Sequence, residues 1–114
     1  FHDMNGLHFL INNKVKTKFL ILNNNGGQIF SKLDISKFDI PDFEKFWITP
    51  LNIDLKNIAL LYGLEYTTPN NLNDLLSIIN NKYDKPLIID YKIDMDTSKE
   101  RKEKLVESIN KIID

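Results

Sequence analysis

Short apolar runs alternate along the chain with segments whose apolar residues recur every three or four positions. The recurring residues predict four helices, marked by Met4, Leu7, Leu10 and Ile11; by Leu55, Ile58, Ala59 and Tyr62; by Leu72, Leu75, Leu76 and Ile79; and by Leu105, Val106, Ile109, Ile112 and Ile113. Three strands are predicted between them, at residues 18–22, at residues 65–67 and in the run PLIIDYKI that starts at Pro86. This alternation predicts an α/β fold with a partial, open, mostly parallel sheet flanked by helices.

The first and third strands are continuous apolar runs, which predicts that both of their faces are covered. The second helix is expected to stop at Gly63, a residue suited to the left-handed position after a helix. Residues 31–50 contain two prolines and a group of aromatic residues. They are expected to form a loop packed by its own side chains, with one short helix.

The stretch NNNGG at residues 23–27 directly follows the first predicted strand. In open α/β sheets, ligands bind beyond the carboxyl ends of the strands. Asparagine oxygens and backbone carbonyls are hard ligands suited to Mg²⁺, which commonly bridges phosphates. Asparagine and glycine are also ordinary turn residues, and further Asn pairs stand at residues 12–13, 70–71 and 80–81. A plain turn and a metal-bearing ligand loop are therefore both open from these residues alone.

Composition limits the partners of the chain. Its 114 residues fit one domain, and its formal charge of −1 comes from interspersed charges without a basic stripe, which argues against nucleic acid. The absence of cysteine excludes disulfides and thiolate zinc sites, and no apolar run is long enough for a membrane span. A cytoplasmic protein is expected. Arg101 is the only arginine, so clamps for a polyanionic substrate would have to come from other segments.

Four strings, taken in order, resemble one enzyme family. They are HDMNGL at residues 2–7, NNNGGQIFS at residues 23–31, FEKFWITP at residues 43–50 and IALLYGLEYTTP at residues 58–69. The second string is similar to the latter half of the thiamine-diphosphate motif, in which Gly-Asp is followed some 25 to 30 residues later by Asn-Asn. Together the strings resemble 2-succinyl-5-enolpyruvyl-6-hydroxy-3-cyclohexene-1-carboxylate synthases of menaquinone biosynthesis.

The resemblance implies a role for several residues. The side-chain oxygen of Asn24 and the backbone carbonyl of Gly26 would be ligands of Mg²⁺ or Mn²⁺, with Gly26 also allowing close approach of the diphosphate. Ile29, Phe30 and Leu33 would line the apolar side of the substrate pocket, and Ile29 would also contact the cofactor; ordinary packing under a loop is the alternative for all three. The implied cofactor is thiamine diphosphate. The implied substrates are 2-oxoglutarate, which is decarboxylated, and isochorismate, which receives the product by 1,4-addition.

The resemblance also implies what the chain lacks. The chain begins at Phe1 and is expected to be a piece of a longer protein, with residues 1–114 forming the C-terminal part of the diphosphate-binding domain, truncated on its N-terminal side. The segment Gly-Asp-Leu-Ser, which supplies the charged metal ligand, would end just before Phe1, and the glutamate that activates the cofactor belongs to another domain. No residue of the chain is assigned as catalytic, since His2 and His8 match no catalytic position and Asp3 is better explained by the dipole of the first helix.

The isolated chain is therefore expected to be inactive, and its parent to be a homodimer or homotetramer. Two alternatives are another thiamine-diphosphate enzyme, such as an acetolactate synthase or a 2-oxoacid decarboxylase, and a non-enzymatic α/β interaction module.

Overall fold

A computed structural model describes residues 4–113, without the side chains of residues 112 and 113. The helices are α1 (Asn5–Asn12), α2 (Leu55–Leu61), α3 (Leu72–Asn80) and α4 (Met95–Ile113), and the strands are β1 (Lys18–Asn23), β2 (Glu65–Thr67) and β3 (Leu87–Lys92). Each predicted helix and strand is present in the predicted order. Two residues considered above, His2 and Asp3, lie outside the described residues.

The three strands form one parallel sheet in the order β1-β3-β2. Lys18 of β1 and Glu65 of β2 both pair with Leu87, at the start of the central strand. All three strands therefore run in the same direction and their carboxyl ends meet at one edge of the sheet. The predicted open, parallel α/β sheet flanked by helices is confirmed.

The central strand β3 has an apolar cluster on each face. Successive side chains of a strand point to opposite faces. Leu87 and Ile89 pack with Leu75 and Ile78 of α3, whereas Ile88 packs with Ala59 and Leu64 on the other face. All these side chains are at least nine-tenths buried, so the core is built around β3.

The expectation that β1 is covered on both faces is wrong. Leu20 and Leu22 are 43% and 62% exposed. They lie on the same face of the sheet as Ile89, which pairs with Leu20. The buried cluster on this face is formed by residues of α3 and β3. Strand β1 lies at the edge of the sheet, outside that cluster.

Local signals explain where the helices begin and end. The side chain of Asp54 accepts hydrogen bonds from two backbone N–H groups in the first turn of α2, and the side chain of Asn71 accepts one from the backbone N–H of Asp74 in the first turn of α3. After α2 the backbone of Gly63 is left-handed, with φ of 66°, as predicted.

The apolar stripe of α4, which includes Leu105, Val106 and Ile109, is exposed. Within residues 4–113, no helix is long and apolar enough to cross a membrane.

The segment between β1 and α2 is irregular, as expected, but its helical content differs from the prediction. It contains two 3₁₀ turns, Phe30–Lys32 and Asp34–Lys37, and a π-helical turn, Glu44–Ile48, in place of one short helix. Its aromatic residues pack only in part. Trp47 stacks on Phe43 and contacts Phe30 edge to face, whereas Phe38 and Phe46 are 68% and 65% exposed.

Candidate functional site

The asparagine loop, residues 23–27, begins at the carboxyl end of β1. Asn23 is the last residue of that strand and is paired with Lys92, the last residue of β3. The loop therefore lies at the edge of the sheet where ligands of open α/β folds bind.

A side-chain turn shapes the first half of this loop. The side-chain oxygen Oδ1 of Asn23 accepts a hydrogen bond of 3.1 Å from the backbone N–H of Asn25. Asn25 itself has a left-handed backbone, with φ of 58°, a conformation that asparagine adopts more readily than most residues. These two asparagines thus have a structural role, and the residue between them, Asn24, lies at the tip of their turn.

Gly26 lies against the backbone at the end of the π-helical turn and just after it. Its φ of 138° is in the region that favours glycine, and a Cβ atom at this position would lie 2.7 Å from the carbonyl oxygen of Ile48. The next residue, Gly27, donates its backbone N–H to the same oxygen over 2.7 Å. The loop is therefore held against residues 48–50, and the cradle at Gly26 admits no side chain.

The two predicted metal ligands, Asn24 and Gly26, both lie in the asparagine loop. The backbone carbonyl of Asn24 accepts from the side chain of Gln28 over 3.1 Å, and the carbonyl of Gly26 accepts from the backbone N–H of Gln28 over 2.9 Å. A carbonyl oxygen has two lone pairs, so the carbonyl of Gly26 keeps one for a cation. Within the described part of the chain, no hydrogen bond involves the side-chain amide of Asn24.

The side-chain oxygen of Asn24 and the carbonyl oxygen of Gly26 suit a hard cation but do not complete its coordination. Amide and carbonyl oxygens fit Mg²⁺, which takes six oxygen ligands. Among residues 4–113 there is no group of three or more His, Cys, Asp or Glu side chains able to hold a metal ion.

The three predicted pocket residues have different surroundings in the described part of the chain. Ile29 is 66% exposed next to the loop, and the half-buried ring of Phe30 contacts Trp47, with 5.3 Å between the ring centroids. Leu33 is 47% exposed and lines a cleft of about 670 Å³ between residues 28–37 and α4. The side chains of Ile29 and Leu33 are thus each accessible for contact.

Sequence reasoning missed a polar cluster at the same edge of the sheet. Asp90 of β3 is 97% buried, since only 3% of it is exposed. Its carboxylate accepts hydrogen bonds of 3.0 Å from the side-chain amide of Asn23 and 3.0 Å from the hydroxyl of Tyr66, which itself accepts from Thr68. The signal that could have revealed this cluster is a single carboxylate inside the apolar run PLIIDYKI.

The cluster lines a cavity of about 490 Å³ that also includes Asn25 of the loop. Burial, together with the neighbouring carboxylate of Asp90, raises the pKa of Tyr66 above its usual value of 10.0, although the hydrogen bond from Thr68 acts in the opposite direction. Tyr66 is therefore a hydrogen-bond donor throughout the neutral range.

His8 is exposed on α1, and Arg101 is exposed on α4.

The chain is similar to several curated proteins that share one name. It is 36% identical over 110 residues to the 2-succinyl-5-enolpyruvyl-6-hydroxy-3-cyclohexene-1-carboxylate synthase of Leuconostoc mesenteroides, covering 96% of the chain and 20% of that protein. It is 40% identical over 83 residues to the synthase of the same name from Chlorobium phaeovibrioides, covering 69% of the chain and 14% of that protein. A third such synthase, from Roseiflexus castenholzii, is 42% identical over 66 residues, or 58% of the chain and 11% of that protein.

No family model matches the chain. The chain spans a fifth or less of the length of these three relatives, at 20%, 14% and 11%.

Proposed function

Because the chain belongs to the family of 2-succinyl-5-enolpyruvyl-6-hydroxy-3-cyclohexene-1-carboxylate synthases, we propose that it is part of such a synthase. Residues 1–114 would form the C-terminal part of its diphosphate-binding domain, truncated on the N-terminal side. The observation that carries the proposal is the asparagine loop at the carboxyl edge of a parallel sheet. This loop has two oxygen atoms suited to bind a metal ion, and its Gly26 leaves no room for a side chain.

The proposed reaction is a cytoplasmic transferase step of menaquinone biosynthesis. Thiamine diphosphate, when bound, supplies the electron sink for decarboxylation of 2-oxoglutarate before the product adds to isochorismate. The contribution of the protein is binding, orientation and exclusion of water.

Asn24 and Gly26 would hold the metal ion, Mg²⁺ or Mn²⁺, that carries the diphosphate. Their oxygens are neutral, so they orient the ion while leaving its charge available to the phosphate groups. The Gly26 carbonyl accepts from the backbone N–H of Gln28, and the hydrogen bond from Gly27 to Ile48 holds the loop beside residues 48–50. We expect these contacts to fix the direction of the Gly26 carbonyl.

Ile29, Phe30 and Leu33 would form the apolar wall of the pocket. Ile29 and Leu33 are exposed here, and exposed apolar side chains beside a ligand loop favour a covering ligand or partner segment. Ile29 is the nearest of the three to the loop in sequence and would contact the cofactor as well. The ring of Trp47 contacts the ring of Phe30 edge to face.

The rest of the site would come from other parts of the parent protein. The charged metal ligand and the activating glutamate are expected there, and so are the clamps for two anionic substrates, since Arg101 is peripheral. The exposed face of Leu20 and Leu22 on the edge strand β1 supports a larger sheet or a covering segment in the parent. We expect the parent to be a homodimer or homotetramer.

The test is an assay of the full-length protein with thiamine diphosphate, Mg²⁺, 2-oxoglutarate and isochorismate. We expect release of carbon dioxide from 2-oxoglutarate and formation of the adduct by mass spectrometry, with neither from the 114-residue chain alone. Turnover of pyruvate but not of 2-oxoglutarate would instead indicate an acetolactate synthase or a 2-oxoacid decarboxylase. No cofactor-dependent reaction with any 2-oxoacid would favour an interaction module.

A further inference from the structure

Asp90 is the only buried charged side chain in the part of the chain that the structure describes. It lies on the central strand β3, on the same face as Ile88. A buried carboxylate is unfavourable unless its oxygens accept hydrogen bonds. The groups that donate to Asp90 therefore define its role.

Each carboxylate oxygen of Asp90 has a different partner. Oδ1 accepts from the side-chain nitrogen Nδ2 of Asn23 over 3.0 Å, and Oδ2 accepts from the Tyr66 hydroxyl over 3.0 Å. The second partner is in turn held by Thr68, whose hydroxyl donates to the Tyr66 oxygen over 2.9 Å. Asp90 thus connects all three strands at their carboxyl ends.

The contact with Asn23 determines which way the amide of that side chain points. An asparagine amide has a donating nitrogen on one side and an accepting oxygen on the other. With Nδ2 of Asn23 bound to Asp90, Oδ1 faces the loop and accepts from the backbone N–H of Asn25. If the amide were reversed, two nitrogens would face each other at Asn25 and two oxygens at Asp90.

The turn fixed in this way contains Asn24 and ends immediately before Gly26. Asn25 has a left-handed backbone, which persists when surrounding contacts hold it. We infer that Asp90 is a positioning residue for the asparagine loop: through the amide of Asn23 it holds the turn that directs the oxygens of Asn24 and Gly26 toward the metal ion. This inference rests on the proposed function of the loop.

Four variants of the full-length protein separate positioning from stability. Asp90→Leu removes both acceptors, and Asn23→Ala removes the link to the loop while leaving Asp90 paired with Tyr66. Tyr66→Phe is the matched control, because it removes the other hydrogen bond to Asp90 and leaves Asn23 in place. Asp90→Asn is the conservative variant, since its oxygen can still accept from Asn23 while its nitrogen donates to the Tyr66 oxygen.

The measurement is calorimetric titration of Mg²⁺ into each protein with saturating thiamine diphosphate, together with melting temperatures without ligand. We expect Asp90→Leu and Asn23→Ala to raise the Mg²⁺ dissociation constant roughly tenfold or more, as partners that orient metal ligands generally do. Tyr66→Phe should bind Mg²⁺ like the wild type despite a lower melting temperature, and Asp90→Asn should recover most of the affinity lost in Asp90→Leu.

If Asp90→Leu does not fold, Asn23→Ala and Tyr66→Phe still decide the question. A wild-type Mg²⁺ affinity in Asn23→Ala overturns the inference, as does an equal loss in Tyr66→Phe. Failure of the proposed function is seen separately, because the wild-type protein would then bind no thiamine diphosphate with Mg²⁺, and the inference would fall with it.

Discussion

Replacing Gly26 with alanine tests whether the asparagine loop is held against residues 48–50. The new Cβ atom would lie 2.7 Å from the carbonyl oxygen of Ile48, 3.2 Å from that of Thr49 and 3.3 Å from Cα of Pro50, at a φ of 138°. All three neighbours are backbone atoms and cannot rotate away. Backbone strain of about 1–3 kcal/mol and overpacking of a further 1–3 kcal/mol give a loss of roughly 2–6 kcal/mol in the free energy of unfolding.

Two other glycines are matched controls for this change. Gly63 has a left-handed φ of 66° with nothing within 4 Å of its Cβ position, so alanine there adds conformational strain alone, about 1–2 kcal/mol. At Gly27 the nearest atom would be the Ile48 oxygen at 3.4 Å, an ordinary contact, so alanine should stay within about 1 kcal/mol of the wild type.

The assay is urea and thermal unfolding of the full-length protein and the three variants without ligand. The expected order of stability is wild type and Gly27→Ala highest, Gly63→Ala lower and Gly26→Ala lowest. If Gly26→Ala unfolded at the same urea concentration as Gly27→Ala, the close approach of the loop to Ile48 would be refuted, and with it the fixed direction of the Gly26 carbonyl.

Three further predictions concern other parts of the chain. Phe30→Ala in the full-length protein should lower turnover or raise the substrate concentration needed for it, with near-normal affinity for thiamine diphosphate. Loss of the contact with Trp47 should lower the free energy of unfolding by only about 0.5–1.5 kcal/mol beyond the effect of lost burial. A large drop in melting temperature with unchanged kinetics would make Phe30 a packing residue. Because burial raises the pKa of Tyr66 above 10.0, the folded protein keeps the phenol proton at pH values where the unfolded chain loses it. The protonated phenol therefore contributes stability that is fully present below the pKa of the unfolded chain and is lost as pH rises through the pKa of the folded protein. Tyr66→Phe should flatten the fall in melting temperature above about pH 10, and an unchanged fall would contradict the assignment. The isolated 114-residue chain should show no micromolar binding of thiamine diphosphate with Mg²⁺ by calorimetry, because the proposed function takes one charged metal ligand and the activating glutamate from other segments of the parent.

Local patterns predicted most of the fold because they reflect local physics. The helical spacing of Leu72 and Leu75 and the left-handed position of Gly63 depend on nearby residues, and the structure contains the corresponding helix and helix end. The exposure of β1 could not be predicted in this way. Leu20 and Leu22 have the sequence of a buried strand, and whether they are covered depends on which element packs on them.

The candidate site was predictable only in its loop. Asn24 and Gly26 are adjacent in sequence to a strand end, whereas the contact between Gly26 and Ile48 joins residues far apart in the chain. The hydrogen bonds of Asp90 to Asn23 and Tyr66 depend on the register of three strands, which periodicity does not determine.

The structure distinguishes two asparagines as controls for substitution of Asn24. The side chain of Asn71 accepts from the backbone N–H of Asp74 and caps α3, so Asn71 is more than an ordinary turn residue. Asn71→Ala should therefore lower stability by about 1 kcal/mol without changing metal binding. Asn13, which donates to the carbonyl of Phe9 at an exposed helix end, is the better matched control.

The most direct test of the account is the Mg²⁺ dependence of thiamine diphosphate binding to the full-length protein, measured by calorimetry for the wild type, Asn24→Ala and Asn13→Ala. A ligand removed from an octahedral site has to be replaced by water, so we expect Asn24→Ala to raise the required Mg²⁺ concentration roughly tenfold or more, equivalent to about 1.4 kcal/mol or more, while Asn13→Ala behaves like the wild type. Equal Mg²⁺ requirements for all three proteins would contradict the assignment of the asparagine loop as the metal and diphosphate site.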